Sequence, residues 1–166
     1  MPKKSKKLRP VSKLPLEFQA QSTWALGKSF ETAALELLRL GKAEVIVPAQ
    51  YLMLHALELY LKAFLFSQGV CDKALRDIGH DLIACLRTCD KYDLAKHLCL
   101  PRSAVVQIVR ANRYYCDKEL EYFAPRAKSF GRIETLADSV AHVGKQLIRP
   151  ITEDSFRRLS QETMQS

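Results

Sequence analysis

Apolar residues recur at steps of three and four along most of the chain, which is the spacing of one face of an α-helix. The first such stretch runs from Phe18 to Leu40 and is followed by Gly41, a residue type that commonly ends helices. A second and more apolar stretch extends from Pro48 to Gln68. Because it is apolar on most sides, we predict that this second helix is the central one of the fold.

Three further helices are predicted downstream. The sequence Gly79-His80-Asp81 is typical of a helix start, with Asp81 as the cap of a short third helix. A long fourth helix is predicted from Arg102 to about Phe123. The fifth helix is predicted from Ile133 to Ile148, where Pro150 is expected to stop it.

Helical spacing also predicts which face of the long fourth helix is buried. That face consists of Val105, Val109, Asn112, Cys116, Leu120 and Phe123. Asn112 is its polar member, so we expect the amide to bond to a neighbouring helix. No stretch alternates apolar and polar residues long enough to indicate a convincing strand, and short links favour antiparallel neighbours. The predicted fold is therefore all-α, an antiparallel bundle of about five helices.

Basic residues are concentrated at the N-terminus. The 166-residue chain has a net charge of +8, and six positive charges precede the first acid, Glu17. They are Lys3, Lys4, Lys6, Lys7, Arg9 and Lys13. Such a segment buries little apolar surface, so we predict a flexible basic arm at 1–17, a bundle at 18–148 and a C-terminal tail at 149–166. The arm would strengthen binding to RNA or another polyanion through counterion release, and a merely solubilising tail is the alternative.

Cysteine usage and the lack of a long uncharged apolar run both bear on the compartment. The five cysteines are an odd number without a secretory segment, which favours reduced thiols. Cys85 and Cys89 share a helix face, but no nearby pair completes a tetrahedral zinc set, so we expect packing thiols. No membrane-spanning helix is predicted. We therefore expect a cytoplasmic protein without membrane contact, metal or cofactor.

A polar stripe crosses the otherwise apolar second helix. Tyr51, His55, Glu58 and Lys62 fall within roughly 60° of each other on the helix surface. The stripe either faces water, as an edge with an ion pair between Glu58 and Lys62, or lines a polar pocket inside the bundle, where its charges need partners. His55 and Glu58 have the i, i+3 spacing of a helical di-iron site, but such a site needs the pair twice and the second copy is missing.

The long helix carries a second group of polar residues. Arg110, Asn112, Arg113 and Tyr114 are candidates for RNA or nucleotide contacts, because arginines bind phosphates and tyrosines stack on bases. The alternative for both arginines is ion pairing with Asp117 at helical spacing.

Several of these segments together resemble the HEPN domains of prokaryotes. They are Ala49-Gln50, Ala56-Leu-Glu58-Leu-Tyr-Leu-Lys62-Ala63 leading to Gly69, Gly79-His80-Asp81-Leu82, and Asn112-Arg113-Tyr114. The resemblance implies a helical bundle that is usually dimeric. It also implies membership of a superfamily that includes metal-independent endoribonucleases of toxin–antitoxin and phage-defence systems, alongside non-catalytic RNA-binding relatives.

The chain departs from the motif of the catalytic members, which place four to six residues between an arginine and a histidine on the long helix. After Arg110 the histidine positions hold Tyr115, Cys116 and Asp117, and after Arg113 they hold Lys118, Glu119 and Leu120. Cleavage beside a 2′-hydroxyl needs a group that moves a proton near neutral pH, and histidine is the usual one. Tyr115 replaces it poorly unless its pKa is greatly lowered.

Three functions follow as hypotheses. The first is a non-catalytic or weakly catalytic HEPN-type protein that binds RNA or a nucleotide. The second is a metal-independent ribonuclease toxin that uses Arg110 or Arg113 with a displaced histidine, His80. The third is a dimerisation or adaptor module in which the apolar faces of the first and fifth helices meet a partner. Expected partners are RNA or a nucleotide, a second copy of the chain, and an antitoxin-type protein.

Overall fold

The computed structural model describes residues 16–120 and 131–165, and all regular structure in this part of the chain is helical. The α-helices are α1 (Leu16–Arg39), α2 (Ile46–Ser67), α3 (Asp72–Ile78), α4 (Leu82–Asp90), α5 (Arg102–Tyr115) and α6 (Ile133–Gln165). Two short 3₁₀ helices, Ala43–Val45 and Leu94–Lys96, lie in the connections. The predicted all-helical bundle is confirmed. The lysines and the arginine of the predicted basic arm lie outside the described residues.

The first two helices pack along their length as an antiparallel pair. Trp24, early in α1, contacts Tyr60, late in α2, with ring centroids 5.9 Å apart. Phe30, further along α1, meets His55, which precedes Tyr60, with centroids 4.6 Å apart. The predicted central position of α2 is confirmed, because nearly all of its residues from Met53 onward are buried.

Tyr60 of α2 contacts both α1 and α6. Its hydroxyl donates a hydrogen bond to Oε2 of buried Glu31 at 2.5 Å. Its ring lies against two glycines, and a Cβ added to Gly27 or Gly144 would lie 3.0 or 2.7 Å from ring atoms. The indole N–H of Trp24 donates to the carbonyl of Gly144 at 2.9 Å. Glycine therefore allows α1 and α6 to approach the same aromatic ring from two sides.

The last helix is much longer than predicted. The prediction that Pro150 ends it is wrong, since α6 continues to Gln165 with Pro150 inside it. Proline removes one backbone donor, yet beyond it Ile151 and Ser155 are buried, so packing outweighs the lost hydrogen bond. Beyond Pro150 the helix therefore still packs against the bundle, at Ile151 and Ser155.

Side-chain contacts fix this extension of α6 to the end of α2. Gln68, the residue that caps α2, donates through its amide to Asp154. Arg158 donates through Nε to the carbonyl of Ser67 at 2.8 Å, which satisfies one of the free acceptors at the helix end. These two contacts join the part of α6 beyond Pro150 to the end of α2.

The predicted long fourth helix corresponds to α5, which is shorter than predicted and buries a different face. The helix α5 ends at Tyr115, and the backbone of Lys118 adopts φ +58° in the turn that follows. Val105 and Val109, predicted to be buried, are exposed. The buried face is instead formed by Ala104, Gln107, Ile108, Ala111, Asn112 and Tyr115. Phe123, predicted to close the helix, lies outside the described residues.

The helix start predicted at Asp81 is confirmed. Its Oδ1 accepts hydrogen bonds from the backbone N–H groups of Ile83 and Ala84, the geometry of an N-cap. The helix α3, which precedes it, was not predicted. None of the helices in residues 16–120 and 131–165 combines the length and apolarity needed to cross a membrane.

Candidate functional site

The polar stripe of α2 converges on one buried carboxylate. Glu58 is only 2% exposed. Its Oε1 lies 2.6 Å from Nζ of Lys62, and its Oε2 accepts hydrogen bonds from the Tyr115 hydroxyl at 2.5 Å and from Nδ1 of His80 at 2.9 Å. The alternative in which the stripe is a solvated edge is therefore wrong, and the stripe lines a polar pocket within the bundle.

Lys62 links this carboxylate to the turn before α4. Its ammonium group donates to Glu58 and, at 2.7 Å, to the carbonyl oxygen of Gly79. Gly79 has φ +65° and ψ −134°, a conformation that is essentially restricted to glycine. The turn can therefore present its carbonyl to Lys62 only because position 79 lacks a side chain.

Proton positions in the cluster follow from the acceptor at its centre. A carboxylate has no proton to give, so Nδ1 of His80 carries the hydrogen of the bond to Glu58. The Tyr115 hydroxyl uses its single proton for Glu58, so Nδ1 of His55, 2.9 Å from that hydroxyl, donates to the tyrosine oxygen. In the neutral form of either imidazole the lone pair then lies on Nε2.

The surroundings of Glu58 stabilise its charged form. Burial raises the pKa of this carboxyl, but His55, Lys62, Tyr115 and His80 more than offset that effect, and the pKa lies well below its usual range. Burial and the neighbouring Glu58 charge raise the pKa of Tyr115 far above its usual range. Tyr115 therefore cannot replace the missing histidine as a proton-accepting group near neutral pH.

Aromatic rings enclose the cluster on several sides. His55 lies edge-on to Phe30 and parallel to Tyr51, with centroids 4.6 and 6.0 Å apart. Tyr115 is edge-on to His80, with centroids 5.9 Å apart. The side chains of His55 and His80 remain 20% and 39% exposed. The carboxylate is thus inaccessible, while part of each imidazole reaches solvent.

Asn112 connects α5 to the cap of α4. Its Oδ1 accepts from the backbone N–H of Leu82 at 2.8 Å, and its Nδ2 donates to Oδ1 of Asp81 at 3.0 Å. Burial raises the pKa of Asp81, but bonds from Ala84, Asn112 and Ile83 outweigh it, so the pKa is lowered overall. The expected bond to a neighbouring helix is confirmed. Assignment of Asn112 as an RNA contact is wrong, because the side chain is buried and both ends of its amide are engaged.

Arg110 and Arg113 lie on the opposite side of α5. Both are exposed, and so is Arg102, while the helix contains no acidic residue. Within the described part of the chain none of the three forms an ion pair, so the proposed pairing with Asp117 is not present. Tyr114 is half-buried beside them. We call Arg102, Arg110 and Arg113 the arginine face.

The three residues suggested for catalysis are not assembled at one point. His80 belongs to the Glu58 cluster, which α5 contacts through Tyr115. Arg110 and Arg113 are about 140–160° around the helix axis from Tyr115, counted at about 100° per residue. The cluster and the arginine face are therefore two separate features of the surface.

The arrangement of the cysteines and of possible metal ligands is a further feature of the described residues. In residues 16–120 and 131–165 no group of three or more His, Cys, Asp or Glu side chains is arranged to hold a metal ion. Cys85 and Cys89 are buried, as expected of packing thiols, and burial raises the pKa of Cys85 to about 12. All five cysteines are free.

Two members of the Glu58 cluster were not predicted. Neither Tyr115 nor Gly79 was predicted to lie beside Glu58 or Lys62. Tyr115 stands three residues after Asn112, so helical spacing already placed the two on one face of α5. No local pattern indicates that Gly79 accepts from Lys62, which lies 17 residues earlier.

Comparison of the chain with protein-family models, with curated proteins and with solved structures found no match in any of the three. The resemblance to HEPN domains therefore rests on the sequence segments alone.

Proposed function

We propose that this protein is a HEPN-type RNA- or nucleotide-binding protein, non-catalytic or weakly catalytic, that contacts phosphates through the arginine face of α5. The observation that carries the proposal is the set of three exposed arginines, none paired with a described residue, on a helix without acids. Exposed cations without ion-pair partners are free to replace the counterions of a phosphate backbone. The lysine-rich N-terminus adds positive charge within the same chain.

The resemblance to HEPN domains sets the biological context of this proposal. That superfamily includes metal-independent endoribonucleases of toxin–antitoxin and phage-defence systems alongside non-catalytic RNA-binding relatives. The chain lacks the arginine–histidine motif on the long helix, and the buried Tyr115 hydroxyl is a poor proton acceptor. These two features favour binding over cleavage.

The test is RNA binding across a salt series. For single-stranded RNA we expect the slope of log K against log[salt] to become shallower by roughly 0.7 for each phosphate contact removed. Arg110→Ala/Arg113→Ala should show this change, and deletion of residues 1–13 should show a separate one. Arg149→Ala is the matched control, because Arg149 is an exposed arginine on α6 that is paired with Glu153. Absence of binding by the wild type at low salt contradicts the proposal.

A ribonuclease is the second candidate, and the hydrogen bond between His80 and Glu58 favours it. A carboxylate that holds Nδ1–H leaves Nε2 of the same ring as a proton acceptor. In that reaction Nε2 takes the proton of a 2′-hydroxyl and the 2′-oxygen attacks the adjacent phosphorus. The bond from phosphorus to the 5′-oxygen breaks as that oxygen takes a proton from water. The products are a 2′,3′-cyclic phosphate and a 5′-hydroxyl.

Incubation of purified protein with mixed RNA in the presence of a chelator decides between the candidates. A ribonuclease predicts cleavage by the wild type and by His142→Ala, which alters an exposed histidine on α6, but not by His80→Ala. No cleavage by the wild type eliminates this candidate. Equal cleavage by all three proteins identifies a contaminant.

A further inference from the structure

An apolar groove of about 280 Å³ lies between α4, the segment after it, and α5. Its walls are mainly aliphatic and include Leu86, Leu94, Leu98, Leu100, Val105 and Val109. Val105 and Val109 are 39% and 44% exposed, although both are β-branched apolar residues on a helix. Contiguous exposed apolar surface of this kind marks an interaction site more often than isolated apolar residues do.

Three arginines lie in or beside this groove. Arg87 and Asp90 line it directly. Arg102 precedes Val105 by three residues, and Arg113 follows Val109 by four, so helical spacing places both arginines beside the exposed valines. No described residue forms an ion pair with any of these three arginines. The lining itself thus holds one arginine and one aspartate, and Arg87 also interacts electrostatically with Asp81. Arg102 and Arg113 flank the groove on α5.

Charge and lining distinguish between the occupants that could fill the groove. A second copy docked through the same surface would add a second set of these arginines to one interface, which opposes a symmetric dimer there. RNA bases stack on aromatic side chains, and the groove is lined by none. An apolar floor with arginines beside it instead matches a segment that presents apolar side chains flanked by carboxylates.

We propose that this groove docks an acidic amphipathic segment of a partner protein. Apolar side chains at i, i+4 and i+7 of the segment fill the groove, as in other helix-in-groove complexes, and its carboxylates pair with Arg87, Arg102 and Arg113. Arg113 also belongs to the arginine face, so the docked segment displaces RNA. This last consequence rests on the proposed function, whereas docking itself does not.

The experiment selects short helical peptides from a displayed random library against the full chain. The expected binders carry Leu, Ile or Val at helical spacing with Asp or Glu between them. Their affinity should fall at least about tenfold for Val109→Ser and for Arg113→Ala. Both residues are exposed, so neither change should unfold the chain. Val47→Ser, at an exposed valine of α2, is the matched control and should bind as the wild type does.

Three outcomes overturn the proposal: selected peptides that are basic or uncharged, affinity unchanged by Val109→Ser, or a wild-type dimer that Val109→Ser converts to monomers. The dimer would make a second copy the occupant. Peptide binding and RNA binding measured on the same protein then distinguish the docking proposal from the proposed function. If peptide binding depends on the groove but the wild type binds no RNA, the docking proposal stands and the proposed function is wrong. If the wild type binds RNA but no selected peptide depends on the groove, the docking proposal is wrong and the proposed function stands.

Discussion

Nδ1 of His80 lies 2.9 Å from Oε2 of Glu58, a residue 22 positions earlier in the chain. The bond joins the central helix α2 to the turn that begins α4. The ammonium group of Lys62 reinforces the same junction through Glu58 and the carbonyl of Gly79. The central helix and the turn before α4 are thus connected around one buried charge.

We expect Glu58→Gln to lower the free energy of unfolding by about 3–5 kcal/mol, because the buried donors around it lose a charged acceptor. Urea unfolding followed by circular dichroism measures the change. Glu36→Gln is the matched control, since Glu36 forms an exposed pair with Arg39 and its loss should change stability by no more than about 0.5 kcal/mol. Equal effects for the two variants would show that the cluster contributes little.

The same carboxylate predicts how stability depends on pH. The pKa of Glu58 is lower in the folded chain than its ordinary value of 4.5, so its ionised form favours folding above that pH. That contribution is lost progressively as pH falls through 4.5 toward the folded-state pKa. Unfolding free energies measured from pH 7 to pH 3 should therefore fall more steeply for the wild type than for Glu58→Gln. Parallel curves would contradict the lowered pKa.

Asn112 and Arg113 are neighbours for which we expect opposite results. Asn112→Ala leaves the buried N–H of Leu82 without its acceptor and should cost about 1–3 kcal/mol of stability. RNA affinity per folded molecule should not change. Arg113→Ala should weaken RNA binding and leave stability within about 0.5 kcal/mol. Unfolding curves and RNA-binding curves measured on both variants test these two expectations. If both variants lost stability and RNA affinity to the same extent, a structural role for Asn112 and an RNA-binding role for Arg113 would be wrong.

Gly144→Ala should destabilise the contact between α2 and α6. Its added Cβ would lie 2.7 Å from ring atoms of Tyr60, and such overpacking costs about 1–3 kcal/mol. The exposed change Gln146→Ala on the same helix is the control. In a double variant with Tyr60→Leu, the effect of Gly144→Ala should shrink, because the ring that it meets is gone. Strict additivity would indicate another cause.

The part of α6 beyond Pro150 should contribute to stability. Ile151 is fully buried, so Ile151→Ala should lower the free energy of unfolding by about 2–5 kcal/mol. Phe156 is 60% exposed, and Phe156→Ala should change the free energy of unfolding by no more than about 0.5 kcal/mol. If residues 149–165 formed a detached tail, the two variants would be equally stable.

Features set by local rules were predictable from the sequence. Asp81 caps α4 because a side-chain oxygen at that position reaches the backbone N–H groups two and three residues ahead. Glu58 and Lys62 form an ion pair across one helical turn. Both predictions depend on residues within four positions of each other, so they did not require knowledge of the fold.

Features set by distant packing were predicted wrongly or not at all. Val109 and Asn112 share one side of α5, but only Asn112 turns inward, because its amide meets the free N–H of Leu82. Pro150 stops many helices, yet burial of Ile151 and Ser155 against the bundle maintains this one. In both cases the deciding partner is remote in sequence.

The sequence by itself determined that this chain is helical, that α2 is central, and that the polar stripe contains an ion pair, because period and spacing are local properties. Only the tertiary structure decided that Glu58 also binds His80 and Tyr115, and that Arg110 and Arg113 face outward. The physical reason is that a buried charge is stabilised by whichever donors the fold brings to it. Those donors came from α5 and from the turn before α4.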